Sequence, residues 1–123
     1  GANVAKIMIN ITHGPEHPTR ACLGFLVAKM AVEDGHDVSI FLAGDGVQLL
    51  RDGVLDNLNG LGTGNLRESY DGVTNGGGQI YASKLSSATR GLTESDVEGK
   101  PVNLVMPKQL LELSLAADRL FTY

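Results

Sequence analysis

The sequence predicts a three-layer α/β/α fold around a five-stranded parallel sheet. Three observations point there. Apolar runs of strand length alternate with amphipathic stretches of helix length, glycine or proline stands at nearly every junction, and the first run, "KIMINIT", is rich in isoleucine and seven residues long. Such a run suits a strand covered on two sides, and strands separated by helices are joined by right-handed crossovers into a parallel sheet covered on both faces.

The first strand spans 6–12 and is stopped by Gly14-Pro15. After Pro18, "TRACLGFLVAKMAVEDG" sets Ala21, Phe25, Ala28 and Val32 at helical spacing, with Cys22 and Leu26 beside them. This predicts an amphipathic helix ending at the Gly35 cap. "HDVSIFLAG", 36–44, reads as the second strand and "GVQLLRDG" as a short helix closed by Gly53. Across 54–78 glycine recurs at 60, 62, 64, 72 and 76–78 and no strong period survives, so a loop is expected, followed by a short helix near Asn65–Val73. "GQIYAS" is the third strand and "KLSSATRG" makes two helical turns before Gly91. "PVNLVM" is the fourth strand, "PKQLLELSLAAD" a helix with Pro107 suited to its first turn, and "RLFTY" the fifth strand. Ligands of such sheets collect at the carboxyl ends of the strands, which points to residues 12–17, 43–46 and 83–86.

At 123 residues the chain suits one domain with one core. A net charge of −4 and scattered basic residues argue against a nucleic-acid surface, which needs cations gathered on one face. The single cysteine, Cys22, has no internal disulfide partner, and neither a signal-peptide pattern nor a membrane-length apolar run is present. A cytoplasmic location and no membrane partner are expected. Gly1-Ala2 carries no methionine and reads as a cloning remnant, left out of the fold.

His13-Gly14-Pro15-Glu16-His17 matches the H-x-x-E-H string of a class of zinc proteases. That chemistry needs both histidines one helical turn apart, whereas Gly14-Pro15 after a strand is a turn signal. No metal is expected, and His13 and His17 read as loop residues that cap a helix or line a pocket. His36, before a strand, adds nothing. The glycines of "LAGDGV", Gly44 and Gly46, stand at a strand-to-helix turn where free N–H groups can hold an anion, but Asp45 between them repels phosphate and Leu49 occupies the place of the third fingerprint glycine. "GLGTG", 60–64, fits no phosphate-loop template, and its glycines read as turn residues. Cys22 falls in the first turns of its helix, where a dipole stabilises a thiolate, yet Phe25 and Leu26 put it on the apolar stripe. A buried structural thiol is the better reading. Ser83, Ser86, Ser87 and Thr89, with Lys84 and Arg90 nearby, crowd one strand end without the nucleophile-elbow pattern. They read as caps and turn hydroxyls.

Three segments in this order resemble the DsrE/DsrF-like family, which includes the sulfur-relay subunits of the Tus and Dsr systems. They are "KIMINITHGPEHPTRACLGFLVAKMAVEDGHDVSIFLAGDGV", "GGGQIYASKLSSATRGL" and "LAADRLFTY". The resemblance implies one DsrE-like domain over 1–123, a sheet with the first strand between the second and fifth, assembly as homotrimers or hexamers, and sulfur-relay partner proteins. It also implies a sulfur-carrying cysteine after the third strand, seven residues before an Arg-Gly pair. Counting back from Arg90 reaches Ser83, a hydroxyl that stays protonated near neutral pH and is a poor substitute for sulfur.

The expected function is therefore a noncatalytic DsrE-like binding or assembly subunit with no cofactor. Its pocket is edged by Thr12, His13, Gly14, Glu16, His17, Gly44, Asp45, Gly46 and Arg90, with Ser83 at the family's cysteine position. One alternative is a sulfurtransferase that carries persulfide on Cys22; a distant one is a metal-dependent hydrolase built on His13, Glu16 and His17.

Overall fold

The computed structural model describes residues 3–123, so Gly1-Ala2 and the reading of them as a cloning remnant lie outside the described residues. The chain runs β1 (Lys6–Ile11), α1 (Pro18–Glu33), β2 (Asp37–Leu42), a 3₁₀ segment (Gly44–Leu50), α2 (Asp52–Asn57), β3 (Asn59–Gly60), β4 (Gly64–Asn65), α3 (Leu66–Asn75), β5 (Gln79–Ser83), α4 (Lys84–Thr89), α5 (Glu94–Val97), β6 (Val102–Val105), α6 (Pro107–Ala116) and β7 (Arg119–Thr122). The main sheet has the order β6-β5-β2-β1-β7, and every pairing in it is parallel. The first strand thus lies between the second and the last, as the resemblance implied.

Alternation splits β1 between two environments. Ile9 and Ile11 face α1, where Gly24 comes so close that a side chain there would strike Ile11. Met8 faces the other way, toward α6, whose Ser114 hydroxyl lies 3.6 Å from the Met8 sulfur. The three steps from β1 to β6 move in one direction across the sheet and the last step reverses, so right-handed crossovers put α6 alone on the second face. The core gathers under α1 and α3 around Phe25, Ile40, Leu55 and Leu66, all at 0% exposure. Both faces were expected to be covered; on the second, one ten-residue helix covers only part of five strands.

The glycine-rich stretch departs furthest from expectation. Gly53 does not close a helix but lies inside α2, and the expected loop holds most of α2 and a small antiparallel hairpin of β3 with β4, while the short helix expected near Asn65–Val73 is α3. The first half of "GVQLLRDG" belongs to the 3₁₀ segment. Packing does not require glycine at 53, where a Cβ would meet open space, and ion pairs join the helix to the chain around it. Lys100 sits 2.9 Å from Asp52, and Arg67 sits 3.4 Å from Asp52 and 2.8 Å from Asp56. The Lys100 ammonium holds the Asp52 carboxyl below the usual carboxylate range. α3 starts where the Asn65 side chain accepts the Glu68 N–H at 3.3 Å, and it buries Leu66, Tyr70 and Val73 at helical spacing.

Candidate functional site

The carboxyl ends of β1, β2 and β5 bring together the three loops that the sequence singled out. β1 ends in a tight turn at 14–17: the His17 N–H donates to the Gly14 carbonyl at 3.0 Å, and both Glu16 carboxylate oxygens accept from the Gly14 N–H, one at 2.8 Å. α1 begins only at Pro18, so the H-x-x-E-H string lies outside the helix. His17 is the residue that caps α1, but its side chain makes no capping hydrogen bond. It lines instead a hollow of about 400 Å³ with Arg20, Leu23 and Tyr123. The His13 and His17 rings meet edge to face at 5.4 Å, and Glu16 is engaged by its own turn. Among the described residues no three potential metal ligands converge. His36 lies apart, its Nδ1 accepting the Ala5 N–H at 3.0 Å where β2 starts beside β1.

Next to this turn lies Gly44-Asp45-Gly46. The Gly44 N–H donates to the Ser86 hydroxyl at 2.9 Å and the Gly46 N–H to the Ala43 carbonyl at 3.0 Å. Two of the donors expected to be free for an anion are thus spent within the fold. Asp45 pairs with Arg90 at 2.8 Å, which ties the end of β2 to α4. Backbone meets backbone here: a Cβ on Gly14 would fall on the Asp45 carbonyl, and one on Gly46 on the Ile11 carbonyl.

Ser83 ends β5 and caps α4, with its hydroxyl accepting the Ser86 N–H at 3.0 Å and only 5% of the residue exposed. The Thr12 hydroxyl donates to the Tyr123 carbonyl at 3.2 Å and stands 3.4 Å from His13 Nδ1. Thus the nearest side-chain partner of His13 is Thr12, and Ser83 is bonded as a cap rather than to a base. A serine nucleophile needs a base within hydrogen-bond reach. The arrangement suits hydrogen bonding and charge recognition by hydroxyls, imidazoles and one guanidinium.

The residues missed in the sequence form the clasp behind this rim. Arg51 donates from Nη2 to the Arg90 carbonyl at 2.9 Å and from Nε to Gln48 at 2.6 Å, and its Nη1 lies 3.5 Å from Asp96. Nothing local marks Arg51 or Asp96, which lie 45 residues apart. The Ser83–Ser86 spacing, by contrast, is a legible cap signal.

Cys22 is separate from the rim. It occupies the second turn of α1, is 1% exposed, and lies under the 59–65 hairpin with its sulfur 3.9 Å from the Leu58 carbonyl. Burial pushes its thiol up, the largest influence on it. A thiolate nucleophile needs the opposite surroundings, so the geometry speaks against persulfide chemistry on Cys22. In the native protein Cys22 is expected to react with iodoacetamide on the order of 100-fold more slowly than in denaturant, as followed by intact mass; equal rates would show the hairpin to be no barrier.

Among the described residues no helix is long and apolar enough to cross a membrane. The profile of the DsrE/DsrF-like family matches residues 5–123. A search of curated proteins finds no match. Among solved structures, the chain is similar to the YchN protein from E. coli, with a TM-score of 0.78, 18% identity, and coverage of 98% of this chain and 100% of that one. It is also similar to a conserved protein of unknown function, BT1422 from Bacteroides thetaiotaomicron. There the TM-score is 0.72, the identity 15%, and the coverage 97% of this chain and 95% of that one. At these identities the two likenesses establish the fold.

Proposed function

The chain belongs to the DsrE/DsrF-like family, and from that premise we propose that it serves sulfur relay as a noncatalytic binding or assembly subunit. One observation carries this reading. Where catalytic relatives are expected to hold their sulfur, this chain has the Ser83 hydroxyl, engaged as the cap of α4. A persulfide needs a sulfur nucleophile, and an unactivated serine offers none. What remains at the rim is a binding surface edged by Thr12, His13, Glu16 and the Arg90–Asp45 pair.

Self-association and docking with sulfur-relay proteins belong to the same proposal. Exposed apolar side chains support them: Leu104 and Met106 at the β6 end of the sheet, and Leu61, 90% exposed at the hairpin tip. Groups of that kind mark contact surfaces, and homotrimers or hexamers are the expected assemblies.

The test is to incubate the protein with a small persulfide donor and take intact masses, with a Cys22→Ser variant alongside. No reducible gain of sulfur is expected in either. A gain lost in the variant would overturn the noncatalytic reading and assign sulfur transfer to Cys22.

A further inference from the structure

At the end of the sheet opposite the rim, the incomplete cover over the second face leaves a cleft of about 230 Å³ between α6 and the amino ends of β1, β2 and β5. Its size is below that of drug-sized pockets, which run to roughly 300–1,000 Å³. Small residues open it: Ser39 on the floor, and Ala116 and Ala117 where α6 ends. Met8 and Leu113 give it an apolar wall.

Its polar groups are of two kinds. The half-buried Ser39 and Tyr81 project from the same face of β2 and β5, since Met8 pairs with Ser39 and Phe41 with Tyr81. Lys6 and Asp37 are register partners on adjacent strands and line the same cleft. Their backbones are about 4.8 Å apart, yet neither side chain enters an ion pair among the described residues. An exposed cation and anion at adjacent register positions over a small, partly apolar hollow, with the Asp118 carboxylate engaged by the Lys6 backbone N–H at 2.8 Å, complement a ligand that carries both charges on one carbon and an apolar tail.

We propose that this cleft binds a free α-amino acid with an apolar side chain, its ammonium on Asp37, its carboxylate on Lys6 and its side chain against Met8 and Leu113. The site is distinct from the rim and does not depend on how Ser83 behaves.

The probe is L-leucine, titrated into the ¹⁵N-labelled protein and followed by amide shifts. Saturable shifts at Ser39, Gln79, Tyr81 and Ala116 are expected. 4-Methylpentanoic acid and 3-methylbutylamine each lack one charge, and each should bind about tenfold more weakly or worse, as a lost charge-assisted hydrogen bond implies. Lys6→Gln and Asp37→Asn, both at exposed positions, should weaken leucine to a similar degree. Ala116→Leu should abolish the shifts by filling the cleft while leaving the fold's spectrum in place. Absence of saturable shifts, equal binding of all three compounds, or a second copy of the chain seated over Tyr81 in solution would each overturn the proposal.

Discussion

A Ser83→Cys variant in a Cys22→Ser background is expected to gain one reducible sulfur atom from a small persulfide donor, where the parent protein gains none. Ser83 already accepts the Ser86 N–H at 3.0 Å as the cap of α4. A sulfur in its place would accept the same N–H, a hydrogen bond that favours the charged form and opposes the burial of a position only 5% exposed. The surrounding groups need no rearrangement: Ser86 stays tied to Gly44 at 2.9 Å, and Arg90 to Asp45 at 2.8 Å. The contrast with Cys22 is environmental. That thiol lies under a hairpin in surroundings that keep it protonated, while position 83 ends a strand where the three rim loops meet. Intact mass before and after reductant gives the readout, and a melting temperature close to the parent's certifies the fold. A folded variant with a titratable thiol that still fails to load would show that the rim itself lacks the means to support persulfide. The resemblance would then extend to the fold and no further.

Local pattern carried the sheet. The five parallel strands lie within the runs that the sequence marked out, because strand length, apolar content and flanking glycine or proline are all local properties. α1 was legible for the same reason, and the burial of Ala21, Cys22, Phe25 and Ala28 follows their spacing. Residues 52–57 defeated the reading because Gly53 signals a break, whereas the helix there is fixed by Leu55 in the core and by pairs of Asp52 with Lys100 and Asp56 with Arg67, none of which the local pattern marks. The hairpin at 59–65 is two pairs long and leaves no periodic trace. At the rim, the choice of loops followed from where parallel sheets place their ligands, and the loops do meet. What holds them does not show in the sequence: the Asp45–Arg90 pair and the Arg51 clasp join residues 39 to 45 positions apart. Side chains recruited over such separations are fixed by the packing of the whole domain and leave no local signature.

The second large effect is expected from Gly46→Ala, which should lower the melting temperature by about 4–12 °C, corresponding to about 1–3 kcal/mol of overpacking. The Cβ at this position would fall on the Ile11 carbonyl oxygen, which also accepts the Ala43 N–H at 3.1 Å. The obstacle is backbone, not the far end of a flexible side chain, so relief requires the 3₁₀ segment to move off the end of β1. That movement carries Asp45 and Gly44 with it, and through them the Arg90 and Ser86 contacts. Gly46→Ala introduced into the Ser83→Cys, Cys22→Ser protein should therefore also slow persulfide loading, below its own melting point, by disturbing the cap of α4. Gly53→Ala is the matched control: its Cβ meets nothing within 4 Å, and it lies inside α2. There the same change should be neutral or stabilise by about 0.5–1 kcal/mol through helix propensity. If both substitutions proved equally mild, the close approach of the loops would not be what holds the rim. Destabilisation confined to Gly46, with slower loading, would mean that the missing side chain at 46 sets the geometry in which position 83 works.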